Sequence, residues 1–222
     1  MMLLRIRVRL PDRPGSLGKV ARILGAAGAD VVQMTVLERD GGRALDDFTV
    51  AWPAGASIDR LIEGLGFVPG VEVEGVWPTV EPQGAFPDAA LVGQLAAASG
   101  DGLAIFTDAL PGILSADWAG LLRVTSGAAA LVHASSGAYS DADLPDVRPV
   151  RPRAFVGGDG TNFALAPIGG MRTGLAILVA RTVAPKFHRT ELFRLTQLVS
   201  AAEAVLGPRL GQMASAVAIA LG

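Results

Sequence analysis

The sequence predicts an α+β protein in two domains: a β-α-β-β-α-β sheet domain, then an antiparallel sheet with flanking helices. Three observations carry this. Residues 4–10 alternate strictly, with Leu4, Ile6, Val8 and Leu10 on one face and Arg5, Arg7 and Arg9 on the other. Pro78 to Pro87 holds three prolines and a glycine, the composition of a semi-extended linker. Lys186 to Leu206 repeats Phe187, Leu192, Leu195, Leu198, Val199, Ala202 and Val205 at helical spacing. The expected domains are residues 1–77 and 88–222, joined by a linker at 78–87.

After the first strand, Leu17, Val20, Ala21, Leu24 and Gly28 recur at helical spacing, with Ser16 as N-cap. Gly25 and Gly28 lower helix propensity, so packing must hold this helix. Asp30 to Arg39 reads as a strand with Val32, Met34 and Val36 on one face. Asp40-Gly41-Gly42-Arg43 is a hairpin turn, and Asp46 to Trp52 returns with Phe48, Val50 and Trp52 inward. Ser57 caps a short helix with an apolar stripe of Ile58, Leu61, Ile62 and Leu65, which Gly66 stops. Val71 to Trp77 alternates again, with Glu72 and Glu74 outward.

This order is the ferredoxin-like motif, in which the first strand lies between the third and the fourth. Arg5, Arg7 and Arg9 are thereby brought near Glu72, Glu74, Asp47 and Thr49. The expected result is a salt-bridge ladder on a solvated or interface face, each pair worth a few tenths of a kcal/mol, roughly. An anion or partner site on that face is the alternative.

The segment Asp12-Arg13-Pro14-Gly15-Ser16-Leu17 joins the first strand to the first helix. Strand, Pro-Gly turn and helix N-terminus together present unpaired backbone N–H groups beside a helix dipole, a setting that suits a small carboxylate. This turn, with Gly28-Ala29-Asp30-Val31 before the second strand, resembles the ligand loop of ACT domains, small regulatory modules that often bind amino acids. The resemblance covers nearly all of residues 3–77. It implies ligand binding at Asp12, Arg13, Pro14, Gly15 and Ser16. It also implies that Asp30 and Val31, at the start of the second strand, reach ligand across a homodimer interface. Many amino-acid-binding members carry Asn where this chain has Asp12 and Asp30. Aspartate suits an ammonium and repels a carboxylate. Read from the residues alone, Asp12 initiates the turn and Asp30 ends a loop.

In the second half, Asp88 caps a helix carrying Leu91, Val92 and Leu95. Leu103 to Thr107, Leu121 to Thr125 and Ala129 to Ala134 are expected strands. An irregular stretch runs from Ser135 to Arg153, with Asp141, Asp143 and Asp146 and then Arg148, Arg151 and Arg153. Gly157-Gly158-Asp159-Gly160 makes one hairpin turn. Phe163–Ile168, Gly169-Gly170 and Gly174–Arg181 make a second hairpin. Ala166-Pro167-Ile168-Gly169-Gly170 before Thr173-Gly174-Leu175-Ala176-Ile177-Leu178-Val179, with Phe187, Glu191-Leu192 and Leu195 after it, resembles the closing hairpin and last helix of GAF domains. These are sensory modules with a central antiparallel sheet. The fold class implied is α+β, a ferredoxin-like βαββαβ domain followed by a GAF-like antiparallel-sheet domain with flanking helices. The family's cyclic-nucleotide signature is not evident, and no binding residue carries over. The apolar tail, Leu210 to Leu221, is expected to pack as a helix on the other domain or on a second copy.

Composition narrows the function. The chain has 222 residues, half of them apolar, a net charge of −2 and no cysteine. Its pI is near 5.7. This leaves no electrostatic footprint for nucleic acid, no disulfide and no thiol chemistry. No stretch reaches the ~18 apolar residues of a membrane span, and Met1-Met2-Leu3-Leu4-Arg5 lacks a signal-peptide layout. The expected location is the cytoplasm. A mean hydropathy of +0.43 suggests apolar surface covered by another copy. The two histidines, His133 and His188, lack partners at metal or hydrolase spacing. Asp141, Asp143 and Asp146 lack the glycine and closing glutamate of a calcium loop. No metal or cofactor is expected, and an enzymatic site would have to lie around Ser135 to Tyr139, where no acid–base pair announces itself.

The expectation is a non-enzymatic regulatory protein. It binds an amino acid or similar small carboxylate at the first domain and passes this to the second domain or to a protein partner. The alternative is a dimeric scaffold that has lost its ligands.

Overall fold

The computed structural model describes residues 2–79, 86–126, 128–135, 144–170, 173–207 and 209–210. The chain divides into two compact units, Met1–Glu81 and Pro82–Gly222.

The first unit runs β1 (Met2–Pro11), α1 (Ser16–Ala26), β2 (Asp30–Asp40), β3 (Arg43–Trp52), α2 (Ile58–Gly66), β4 (Glu72–Pro78). Its antiparallel sheet has the order β2-β3-β1-β4, with β1 between the third and fourth strands as the motif requires. The alternation of β1 sends Leu4, Ile6, Val8 and Leu10 into the core. There they pack with Phe48, Val50 and Trp52 of β3, Val20 and Leu24 of α1, and Leu61 and Leu65 of α2. Ser57 caps α2 as expected, accepting from the Arg60 N–H at 3.3 Å.

Three local expectations need correction. Ser16 does not cap α1. The cap is Gly15, at φ +85°, and Ser16 is the buried first residue of the helix. The turn needs a left-handed residue there, which glycine adopts without a Cβ clash. Val32, Met34 and Val36 do not share a face. A bulge between Val31 and Gln33 shifts the parity, so Val31, Met34, Val36 and Arg39 share the face of Val50, Phe48, Asp46 and Ala44. The arginine ladder forms, but its centre is not solvated. Arg7 and Asp47 are buried, and the Arg7 guanidinium lies 5.4 Å from the Trp77 ring centroid. Towards its ends Arg5 donates to Thr49 Oγ1 at 3.3 Å, Arg9 pairs with Glu74 at 2.7 Å and Arg43 pairs with Glu72 at 3.0 Å.

The second unit runs α3 (Pro87–Ala97), α4 (Gly102–Leu114), β5 (Trp118–Val124), β6 (Ala129–Ala134), β7 (Arg153–Val156), β8 (Asn162–Ile168), β9 (Leu175–Arg181), α5 (Arg189–Leu206). Its antiparallel sheet has the order β6-β5-β9-β8-β7. One face, with Leu121, Ala166 and Ile177, packs with helix residues such as Leu95, Phe106, Leu110 and Leu195. The other, with Trp118, Phe163 and Leu178, is covered in part by Val147 and Leu144.

Leu103–Thr107, expected as a strand, lies in α4. That helix is buried on many sides, through Leu103, Phe106, Thr107, Leu110, Ile113 and Leu114, so its sequence shows an apolar run rather than a stripe. At the head of α5, His188 accepts from the Thr190 N–H at 3.3 Å, while Glu191 accepts from the His188 N–H at 2.8 Å and is ion-paired with buried Arg181.

Among the described residues no helix is long and apolar enough to cross a membrane. Residues 80–85 of the linker, Gly127, Tyr139, Asp141, Asp143 and tail residues 211–222 lie outside the described residues.

Candidate functional site

In the first unit a cavity of about 250 Å³ opens where β1 hands over to α1, beside the exposed edge of the sheet. Its walls come from Leu10, Asp12 and Arg13 at the end of β1, Ser16 and Leu17 at the start of α1, Val36 and Arg39 of β2, and Ala44 and Asp46 of β3. Local structure explains each position. The Asp12 N–H donates to Gly42 O at 2.8 Å, which ties the turn to the β2–β3 hairpin. Gly15 then reverses the chain so that the first turn of α1 faces the cavity.

Asp12 meets Arg39 in a two-pronged pair, Nε to Oδ2 at 2.9 Å and Nη2 to Oδ1 at 3.1 Å. The hydrogen bond to Asp12, and then its charge, raise the Arg39 pKa above its ordinary value. Asp46 is different. It is 1% exposed, and its Oδ1 is buried with no hydrogen-bond partner. Burial, then the negative charges of Asp12 and Asp47, push its carboxyl up to about 6, and Arg39 opposes them. Asp46 therefore titrates at about 6, well above the range of ordinary aspartates.

Of the residues expected to bind ligand, Asp12, Arg13 and Ser16 line this cavity. Pro14 and Gly15 form the turn and do not line it. Asp30 and Val31 sit at the other end of β2, paired with Ala51 and Val50, nine residues before Arg39 in the case of Asp30. At ~3.3 Å per residue that separation is about 30 Å, so one chain does not bring them to this cavity.

The sequence reading missed Arg39 and Asp46. Asp46 had a signal: it shares the parity of Phe48, Val50 and Trp52, the residues read as inward on the same strand, and pairs with inward Val8. A carboxylate at a core position is a flag for function. Arg39 had none, because the bulge between Val36 and Glu38 turns it to the cavity face and is invisible in the sequence pattern.

Other places offer less. A groove of about 810 Å³ between α1 and α2 has Arg60 as its one ionisable lining residue. In the second unit Ser135 Oγ is buried and accepts from the Ala119 N–H at 2.9 Å, and His133 pairs with exposed Asp108 at 2.8 Å. No group of three or more metal-ligating side chains occurs among the described residues.

Comparison with known proteins agrees with the first unit. Residues 4–51, from β1 to the end of β3, match the ACT domain family. A search of curated protein sequences finds no match. Among solved structures the chain is similar to the GAF domain of an Acinetobacter phosphoenolpyruvate-protein phosphotransferase, at 11% identity and a TM-score of 0.42, over 61% of this chain and 94% of that one. It is also similar to a formyltetrahydrofolate deformylase from Pseudomonas putida KT2440, at 14% identity and a TM-score of 0.30, over 40% and 36%. A protein of unknown function from Galdieria sulphuraria is similar at 13% identity and a TM-score of 0.33, over 92% and 91%.

Proposed function

We propose that this chain is a non-enzymatic cytoplasmic regulatory protein that binds a small amino acid at its ACT domain. The observation that carries this reading is the cavity between the Asp12–Ser16 turn and Asp46, at the place where the family resemblance implies a ligand. The cavity offers cationic Arg13 and Arg39, a helix N-terminus and two carboxylates within one small volume, which suits a zwitterion.

The working form is a homodimer paired through β2. This edge strand exposes Val31, Val32, Met34 and Val36 at 38–48% each, a long apolar edge of the kind that pairs with another strand. Antiparallel pairing of two β2 strands about a two-fold axis carries the partner subunit's Asp30 and Val31 towards the Arg39 end of β2. That supplies the second half of the binding set. Ligand then favours one arrangement of dimer or units and changes what a partner meets. The same exposed edge supports the second reading, a dimeric scaffold without ligand.

Thermal unfolding of the full chain against each of the twenty amino acids separates the two. Ligand at about 100 times its dissociation constant adds roughly 2.7 kcal/mol. A rise in Tm with one or two amino acids supports the sensor. No rise with any, in a protein that still dimerises, supports the scaffold.

A further inference from the structure

The two carboxylates of the cavity are not equivalent. Both oxygens of Asp12 are engaged by Arg39, in an exposed pair. Asp46 lines the same cavity from the sheet floor with Oδ1 buried and unpartnered. Such an oxygen is costly to leave unmatched, and the strongest match is a charge-assisted hydrogen bond from a cation. Arg13, another residue lining the cavity, makes no ion pair among the described residues, and Ser16 and Leu17 of the first turn of α1 line the cavity with it. The volume is below the ~300–1,000 Å³ of sites for drug-sized ligands, so the occupant is small. A carboxylate with an unmatched oxygen and cationic side chains around one small volume match a molecule with an ammonium at one end and a carboxylate at the other.

We infer that Asp46 fixes the ammonium group of the bound amino acid, with the ligand carboxylate at Arg13 and the α1 N-terminus; this inference rests on the amino-acid reading above. Asp12 is then a positioning residue that holds Arg39 at the cavity. The charged groups that face Asp46 are Asp12 and Arg13 from the turn after β1, Arg39 from β2 and Asp47 from its own strand; α1 contributes Ser16 and Leu17. Ammonium binding needs the ionised form of Asp46, whose carboxyl titrates at about 6. At pH 5 only about a tenth of the molecules are ionised there, so apparent affinity falls about tenfold from its value at pH 7.5.

The test is calorimetric titration of the full chain with each of the twenty amino acids at pH 7.5 and pH 5. It is repeated for any binder with the same acid lacking its amine, and with Asp46→Asn. The expected result is binding at pH 7.5 that weakens about tenfold at pH 5. The amine-free acid should show no such weakening. Asp46→Asn should bind at least tenfold more weakly at pH 7.5 and lose the pH dependence. The wild-type pH comparison and the amine-free acid stand even if the variant folds poorly. An amino acid that binds equally at both pH values, and equally to Asp46→Asn, overturns the role of Asp46 and leaves the amino-acid reading standing. Absence of binding by all twenty at either pH overturns both.

Discussion

Arg7 and Asp47 face each other across β1 and β3 as a two-pronged pair. Nε and Nη2 of the arginine donate to the two carboxylate oxygens at 2.7 and 2.8 Å, with the two side chains at most 2% exposed. Register places them directly opposite, and Trp77 lies against the guanidinium. A pair so enclosed holds its geometry against solvent competition, unlike the outer rungs of the ladder.

Asp47→Ala takes the paired carboxylate from a buried guanidinium and is expected to cost about 3–5 kcal/mol. Urea unfolding checks this. The double variant Arg7→Met, Asp47→Leu should recover most of the loss, because it removes both charges instead of one.

Asp46 predicts an inverted pH dependence of stability. Its carboxyl titrates at about 6 in the folded chain, above the 3.8 of an ordinary aspartate. Between those values the folded state holds a proton that the unfolded state has released. The Asp46 contribution therefore rises as pH falls from about 7 to about 4. Asp46→Asn is expected to be more stable than wild type by about 1–2 kcal/mol at pH 7.5, with the gain fading towards pH 4. Denaturant unfolding across that range checks the sign. A gain in stability from removing this residue is the pattern of a group kept for function.

Gly15→Ala is expected to cost about 1–2 kcal/mol, since a Cβ at positive φ is strained. Space is not the reason: nothing lies within 4 Å of where that Cβ would stand. A lowered Tm with unchanged far-ultraviolet circular dichroism is the expected outcome. Ligand affinity should fall with it, because the turn that carries Arg13 and Ser16 relaxes.

Val32→Lys with Met34→Lys places two charges on the exposed edge of β2. On the proposed pairing through β2, sedimentation should show dimers for wild type and monomers for this variant. Thermal stability at low protein concentration should stay within about 0.5 kcal/mol of wild type, because both side chains are exposed.

Legibility followed one physical distinction. Where apolar and polar residues alternate at the period of the element, its type is written in the residues, so β1, α2, the β2–β3 hairpin and α5 could be read directly. Where burial is all round, as in α4, periodicity carries no information, and the run Leu103–Thr107 reads as a strand. Bulges are the second blind spot. The extra residue between Val31 and Gln33 reverses which side chains look inward, and the one before Glu38 delivers Arg39 to the cavity. Half of the site was therefore legible as a turn motif. The other half depended on strand register, apart from Asp46, whose place among inward residues could have been noticed.

The strand order β6-β5-β9-β8-β7 also bears on how the chain is made. Leu175–Arg181, the latest in chain order of the described strands, is the middle of the second sheet, flanked by β5 and β8. The β5–β6 ribbon emerges more than forty residues earlier and has one inner edge open until β9 arrives. A transcript truncated before Leu175 would yield two ribbons that cannot join, each with a bare apolar border. Translation errors in that interval should therefore feed aggregation, whereas the first unit has all four of its strands by residue 78.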